Sequence, residues 1–162
     1  MYICKKVLKM SKIFSTSPDI VEMAMDKFEK TGLPQVGLIL RVMSLKKANA
    51  AVKVSKASAP TEFLTKGEGT IQMFIYEEVF NKLSDNDKKM LLEGALSNVS
   101  YDSEHDKINV DNSQYGEVLR MRQKYSNYLD LIESSLIAIE QIAEEEKERK
   151  LAERESKKKR NN

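Results

Sequence analysis

The sequence contains one cysteine, one histidine, three prolines and no tryptophan. A lone cysteine, Cys4, excludes an internal disulfide, which fits a reducing compartment. A lone histidine, His105, excludes a metal centre built from several imidazoles. No apolar run approaches the ~18 residues that span a bilayer, and lysines interrupt the N-terminal segment too often for a signal peptide. We therefore expect no membrane association.

What the chain does have is enough apolar residue for a core and a surplus of charge. Hydrophobic residues make up 41% of its 162 residues and charged residues 32%. The 27 basic and 25 acidic residues leave a net charge of +2, so the chain has no general basic field of the kind that attracts nucleic acids. The length fits one domain with an appendage.

Hydrophobic patterning predicts an α+β fold with three segments. We expect a poorly ordered leader over residues 1–13, with Met1 or Met10 as the initiator, an α+β domain over 14–112, and a long C-terminal helix over 113–162. Within the domain, Ser17 is a candidate helix cap and Pro18 suits a first helical turn. Short β-branched runs predict strands at 36–43, 51–54 and 70–76, and further patterns predict helices at 77–83 and 88–98 and a hairpin at 99–110. These elements form a small mixed sheet with packed helices.

Residues 114 to about 159 have the pattern of one continuous helix. Apolar side chains recur at steps of three and four, which is nearly a coiled-coil pattern. We call this set the apolar seam: Val118, Met121, Tyr125, Tyr128, Ile132, Leu136 and Ile139. It is longer than a domain of this size would cover, so we expect it to bind another protein or a second copy of the chain. After Ala143 the helix is almost entirely charged, and we expect its end to fray.

The middle of the chain resembles a known family. Residues 71–83, 84–92 and 101–110 follow the order strand, short helix, helix, polar turn and strand. This order is similar to that of a zincin-like family of phage metallopeptidases, and the resemblance covers residues 17 to about 120. The family carries a helix of the form L-L-x-H-E-L-x-H, followed by an acidic turn and a further histidine. The resemblance implies a zincin-like fold and a phage protein, located in the host cytoplasm or the virion.

The side chains that such a site needs are absent here. Two histidines four residues apart on a helix bind zinc, and the adjacent glutamate activates the zinc-bound water. In this sequence the resemblance places Gly94 and Asn98 at the histidine positions and Ala95 at the glutamate position. The region of the third ligand, at 110–112, has no histidine. We therefore expect a pseudoenzyme with no metal and no cofactor.

Two other constellations are weaker. Asp102, Glu104 and Asp106 alternate as in a calcium loop, but the expected glycine and final glutamate are missing, so a solvated turn that contains His105 is favoured. Basic residues form two clusters that could contact phosphates: Lys46, Lys47, Lys53 and Lys56, and Lys157, Lys158, Lys159 and Arg160. No aromatic residues are interleaved with them, as a base-stacking surface would require.

Three functions are consistent with these observations. The favoured one is a non-catalytic protein that binds another protein through the C-terminal helix, as a virion or host-interaction component. The alternative is a nucleic-acid-associated accessory protein that uses the lysine clusters. The third is an enzyme of unrecognised chemistry, which would require a bound ion or a deep pocket around His105.

Overall fold

The computed structural model describes residues 13–57 and 69–160. The predicted leader up to residue 12, with Cys4, and the segment 58–68 lie outside the described residues. The elements are, in order, β1 (Ile13–Ser15), α1 (Pro18–Glu29), a 3₁₀ turn (Leu33–Val36), β2 (Ile39–Leu45), β3 (Val52–Lys56), β4 (Thr70–Ile75), α2 (Glu77–Phe80), α3 (Asp85–Ser97), β5 (Val99–Asp102), β6 (Lys107–Val110), α4 (Gln114–Arg122) and α5 (Tyr128–Arg160). The predicted α+β class, with a small mixed sheet and a long C-terminal helix, is confirmed.

The sheet has the strand order β1-β2-β4-β3. The central strands β2 and β4 are parallel, with Leu40 opposite Ile71, and both outer strands run antiparallel to their neighbours. Strand β1 was not predicted, because three residues are too few to show a period. Its first residue, Ile13, was assigned to the leader but pairs with Leu45. Strand β3 forms the opposite edge of the sheet, and β5 and β6 form the predicted hairpin.

Strand β2 begins three residues later than predicted. Residues 33–36 form a 3₁₀ turn between Gly32 and Gly37, whose φ angles are +79° and +83°. Glycine adopts this left-handed conformation without steric cost, and Pro34 restricts the backbone inside the turn. The turn therefore uses the first residues of the apolar run, and the strand starts at Ile39.

The N-terminus of α1 is held by a glutamate and not by the predicted serine cap. The Ser17 side chain accepts no capping hydrogen bond. Instead the Ser17 N–H and hydroxyl donate to the Glu77 carboxylate at 3.1 and 2.8 Å, and the Ser44 hydroxyl donates to it at 2.5 Å. We call these three residues the Glu77 network. Burial raises the pKa of Glu77, but the three hydrogen bonds outweigh burial and hold the pKa below its usual range.

Helix α3 is the central element and is buried on two faces. Its start is capped by Ser84, whose hydroxyl accepts the N–H of Asp87 at 3.2 Å. One face, with Leu92, Ala95 and Leu96, packs with the sheet and α1. The opposite side contributes Met90 and Leu91 to a second core shared with α2, α4 and α5.

The prediction of one continuous C-terminal helix is wrong. Helix α4 ends at Arg122 and α5 begins at Tyr128. In the break, the N–H of Tyr125 donates to the Met121 carbonyl at 2.7 Å. The N–H of Leu131 donates to the Asn127 carbonyl at 3.1 Å. Asn127 and its neighbour Ser126 are residue types that favour turns and caps over helix interiors. Tyr128, the first residue after the break, is completely buried, with 0% of its surface exposed.

Candidate binding cleft

Gly94, which the resemblance would place at a zinc-ligand position, has no room for a larger side chain. A Cβ atom at Gly94 would lie 1.9 Å from the Tyr128 hydroxyl oxygen and 2.6 Å from its Cζ. Both distances are far inside van der Waals contact. The Tyr128 ring thus occupies the space that a histidine at position 94 would need. Ala95 is 2% exposed and belongs to the core under the sheet, so its side chain faces away from Tyr128.

Near the C-terminal end of α3 lies a hydrogen-bonded group that we call the Glu117 network. Its members are Tyr128, Glu117, Asn98, Arg120 and Asp111. The Tyr128 hydroxyl donates to one oxygen of Glu117, and the Asn98 amide donates to the other at 2.7 Å. Arg120 donates to the Asn98 amide oxygen and, at 3.1 Å, to Asp111. Burial, and after it the negative charge of Glu117, raises the pKa of Tyr128 far above its usual range. Tyr128 is therefore a neutral donor, and Asn98 links Glu117 to Arg120.

A second group of polar side chains is centred on Glu93 of α3 and joins this helix to neighbouring elements. The Glu93 carboxylate accepts hydrogen bonds from Lys27 at 3.2 Å, Lys124 at 2.6 Å and the Tyr125 hydroxyl at 2.9 Å. We call these four residues the Glu93 cluster. Burial raises the pKa of Glu93, but the three donors outweigh burial and hold it below its usual range. The cluster ties α1 and the α4–α5 break to the central helix.

A cleft of about 210 Å³ opens beside the Glu117 network. Strand β3 and the residues before it form one wall, and the segment 111–114 at the start of α4 forms the other. Most of the polar lining is uncharged, and the charged side chains are Lys53, Asp111 and Glu117. The uncharged polar residues in the lining are Asn49, Asn98, Asn112, Ser113, Gln114 and Ser135. The amide and hydroxyl groups of this lining offer both hydrogen-bond donors and acceptors to a polar ligand.

Strand β3 presents a row of backbone groups at the outer edge of the sheet. The Ala51 carbonyl accepts the N–H of Tyr76 at 2.9 Å, and the N–H of Ala57 donates to Thr70 at 3.1 Å. Along an antiparallel strand, the backbone N–H and C=O groups of successive residues point to alternate sides. Those of the odd-numbered residues face β4. The N–H and C=O groups of the even-numbered residues 52, 54 and 56 therefore point outward. Among residues 13–57 and 69–160, no backbone group bonds to them.

The apolar seam is largely covered by the protein itself. Met121 is 4% exposed and Tyr128 is 0% exposed, so the prediction that they contact a partner is wrong. The other five residues, Val118, Tyr125, Ile132, Leu136 and Ile139, are half-buried. The apolar spacing was predicted correctly, but most of the seam packs in the second core, together with residues of α3. Five more exposed apolar residues lie elsewhere on these helices: Tyr115, Leu119, Leu129, Ile137 and Leu151.

The two lysine clusters do not form one surface. In the first, Lys46, Lys53 and Lys56 are exposed, and Lys47 forms an ion pair with Glu146 at 2.5 Å. Lys157 lies eleven residues beyond Glu146 on α5, which is roughly 16 Å along the helix axis at 1.5 Å per residue. Lys158 and Lys159 are exposed as well, and the side chain of Arg160 lies outside the described part.

The acidic turn between β5 and β6 is exposed, as predicted. Within the described residues it carries the single group that could hold a metal ion, in which ligand atoms of Asp102, Glu104 and His105 lie within 4.8 Å of one another. His105 Nδ1 is 2.7 Å from Asp102 and its side chain is 72% exposed. Asp106 instead accepts the Tyr101 hydroxyl. Exposed carboxylates are common in turns without a metal, so this turn carries no functional assignment.

Several residues of the cleft had no distinguishing signal in the sequence. Asp111 precedes α4, Glu117 lies in its first turn and Arg120 in its last turn, and only the folded chain brings them to Asn98. No protein-family model, no curated protein and no solved structure matches the chain. None of the described helices combines the length and hydrophobicity needed to cross a bilayer. The geometry of the cleft is therefore the basis for assigning function.

Proposed function

We propose that the protein is a non-catalytic binding protein that holds an extended segment of another protein against strand β3 in the cleft. The observation that carries the non-catalytic part is the contact between Gly94 and Tyr128. A metal-binding side chain at position 94 would require Tyr128 to leave a fully buried site. The chain has a glycine there and uses the space for packing and for the Tyr128–Glu117 hydrogen bond.

The proposal includes descent from the zincin-like phage metallopeptidases. In support, Gly94 and Asn98 lie on the same side of α3, toward α4 and α5. The hairpin that follows returns the chain to this side, where the N–H of Asp111 donates to the Asn98 carbonyl at 2.8 Å. The segment in which the family carries its third ligand thus lies beside the last motif position. A virion component or a host-interaction protein fits this descent.

The ligand class follows from the edge strand and the size of the cleft. Outward backbone groups of residues 52, 54 and 56 can pair with an added strand, which is a common mode of peptide recognition. A volume of about 210 Å³ is below the ~300 Å³ typical of small-molecule pockets, but it accommodates one or two side chains of a bound strand. The amide and hydroxyl lining can satisfy the polar groups of such a segment.

The test uses a displayed library of random linear peptides, selected on the full chain. Peptides that bind are measured by fluorescence anisotropy against two matched variants. Asn112→Trp places a large side chain at the wall of the cleft, and Asn109→Trp makes the same change on exposed strand β6 outside it. We expect Asn112→Trp to weaken binding by at least about tenfold, which corresponds to ~1.4 kcal/mol, and Asn109→Trp to have no effect.

Two results would refute the proposal. One is a set of selected peptides that bind Asn112→Trp and wild type equally well. The other is binding of zinc, measured by titration calorimetry, that is lost in Asn98→Ala but kept in His105→Ala. The second result would show that the motif face still holds a metal, whereas loss only in His105→Ala would point to the exposed turn.

A further inference from the structure

The last fourteen described residues of α5 form a basic helix that projects from the body. Before these residues, α5 is tied to the rest of the chain by the buried Ile142 and by the ion pair between Glu146 and Lys47. Side chains from 147 to 159 are all exposed. At 1.5 Å per residue, the segment 147–160 extends roughly 20 Å. It contains eight lysine or arginine residues and three glutamates.

The positive charges on this segment are segregated to one side. At 3.6 residues per turn, five cations fall within an arc of roughly 100° that contains no glutamate. We call them the basic stripe: Lys147, Lys150, Arg154, Lys157 and Lys158. Of these, one has an ion-pair partner in the described part of the chain, since Lys150 lies 4.0 Å from Glu146. Among the described residues, no ion pair forms between Glu145 and Arg149 or between Glu153 and Lys157, although each pair is four residues apart on the helix.

We propose that the basic stripe binds the phosphate backbone of double-stranded nucleic acid. The stripe is roughly 16 Å long, and duplex DNA carries a negative charge about every 1.7 Å of its axis. A single α-helix fits a major groove about 12 Å wide. The lysine and arginine side chains of the stripe supply cations for contacts with phosphates, and such contacts position a protein on the duplex without reading its base sequence.

The composition of the projecting helix argues against other ligands. A helix that lies in a membrane interface needs a continuous apolar face, and a coiled-coil partner needs apolar residues at every third or fourth position. From 147 to 160 the apolar residues are Leu151 and its neighbour Ala152. This surface is separate from the proposed peptide cleft, so the two proposals are independent.

The test compares two double variants that remove the same charge from opposite sides of the helix. Arg154→Gln with Lys157→Gln removes two cations of the stripe, and Arg149→Gln with Lys159→Gln removes two cations outside it. Binding of the full chain to a labelled duplex of about 30 base pairs is measured between about 50 and 200 mM salt. Circular dichroism confirms that both variants keep their helix.

For wild type, the plot of log Kobs against log salt concentration should have a slope of about −4.5, from five phosphate contacts at about 0.9 each. The stripe variant, Arg154→Gln with Lys157→Gln, should reduce the magnitude of this slope by about 2. It should also weaken binding by roughly 100-fold at about 50 mM salt. The control variant should leave the slope within about 0.5 of wild type. Equal losses in both variants, no duplex binding by wild type at about 50 mM salt, or binding to phosphatidylserine vesicles without binding to the duplex would each overturn the proposal.

Discussion

The contact between Gly94 and Tyr128 makes the substitution Gly94→Ala the most informative single change in the core. A methyl group at position 94 would lie 1.9 Å from the Tyr128 hydroxyl oxygen and 3.1 Å from Glu117. A terminal hydroxyl can often move aside, but this ring has 0% exposure and is packed in the second core with residues of α3 and α4. We therefore expect Tyr128 to be pushed off Glu117, so that the Tyr128–Glu117 hydrogen bond breaks.

The expected change in the free energy of unfolding is the sum of three effects. Overpacking a tight core costs about 1–3 kcal/mol, and loss of a hydrogen bond to a charged acceptor costs about 1.5–3 kcal/mol. Replacing a helical glycine by alanine returns about 1 kcal/mol. The net destabilisation is about 1.5–5 kcal/mol, which for a chain of this size lowers Tm by roughly 4–15 °C.

Urea unfolding followed by circular dichroism measures this change, and a double-mutant cycle tests its cause. Tyr128→Phe removes the hydroxyl oxygen, so Gly94→Ala in that background loses the closest contact. The double variant should be at least about 1 kcal/mol more stable than the sum of the single effects predicts. An increase in Tm on Gly94→Ala, or additivity within about 0.5 kcal/mol, would show that Tyr128 does not occupy the space beside Gly94.

Two further predictions concern buried carboxylates. Glu77→Gln should destabilise the protein by about 1–3 kcal/mol at neutral pH, because the Glu77 network loses charged hydrogen bonds. Since the pKa of Glu77 is lowered in the folded state, its contribution is present above the unfolded pKa and disappears as pH falls through the folded one. Urea titrations at neutral and acidic pH should therefore show a smaller acid-induced loss for Glu77→Gln than for wild type, and parallel losses would contradict the assignment. Glu93→Gln should cost about 1–2 kcal/mol by the same mechanism, and calorimetric Tm values at low and high salt should show that most of this loss persists because the Glu93 cluster is partly buried.

The local elements could be predicted from sequence because their signals are local. Strand β4 and helix α3 combine a clear period with turn residues at both ends, and the structure places them within a few residues of the prediction. Strand β1 and the 3₁₀ turn at 33–36 gave no such signal. The first is too short for a period, and the second lies inside an apolar run that is also typical of a strand.

The C-terminal helix shows where periodicity alone is insufficient. The apolar seam repeats correctly, but a period does not say which surface covers it or whether the helix is continuous. The packing of Tyr128 against Gly94 and the hydrogen bonds of Lys124 and Tyr125 to Glu93 favour a break at 123–127, and each joins residues at least 30 positions apart. Only the packed structure could assign the seam to the second core.

By itself the sequence determined the α+β class, the long charged helix and the absence of the side chains that the metallopeptidase motif requires. Those conclusions need only residue identity and spacing. The tertiary structure decided what surrounds Gly94 and Asn98, because the Tyr128 ring, Glu117 and Asp111 reach them from later segments of the chain. It also decided that strand β3 has an outward edge beside a cleft and that the basic stripe lies beyond the body, since pairing and exposure are set by the whole fold.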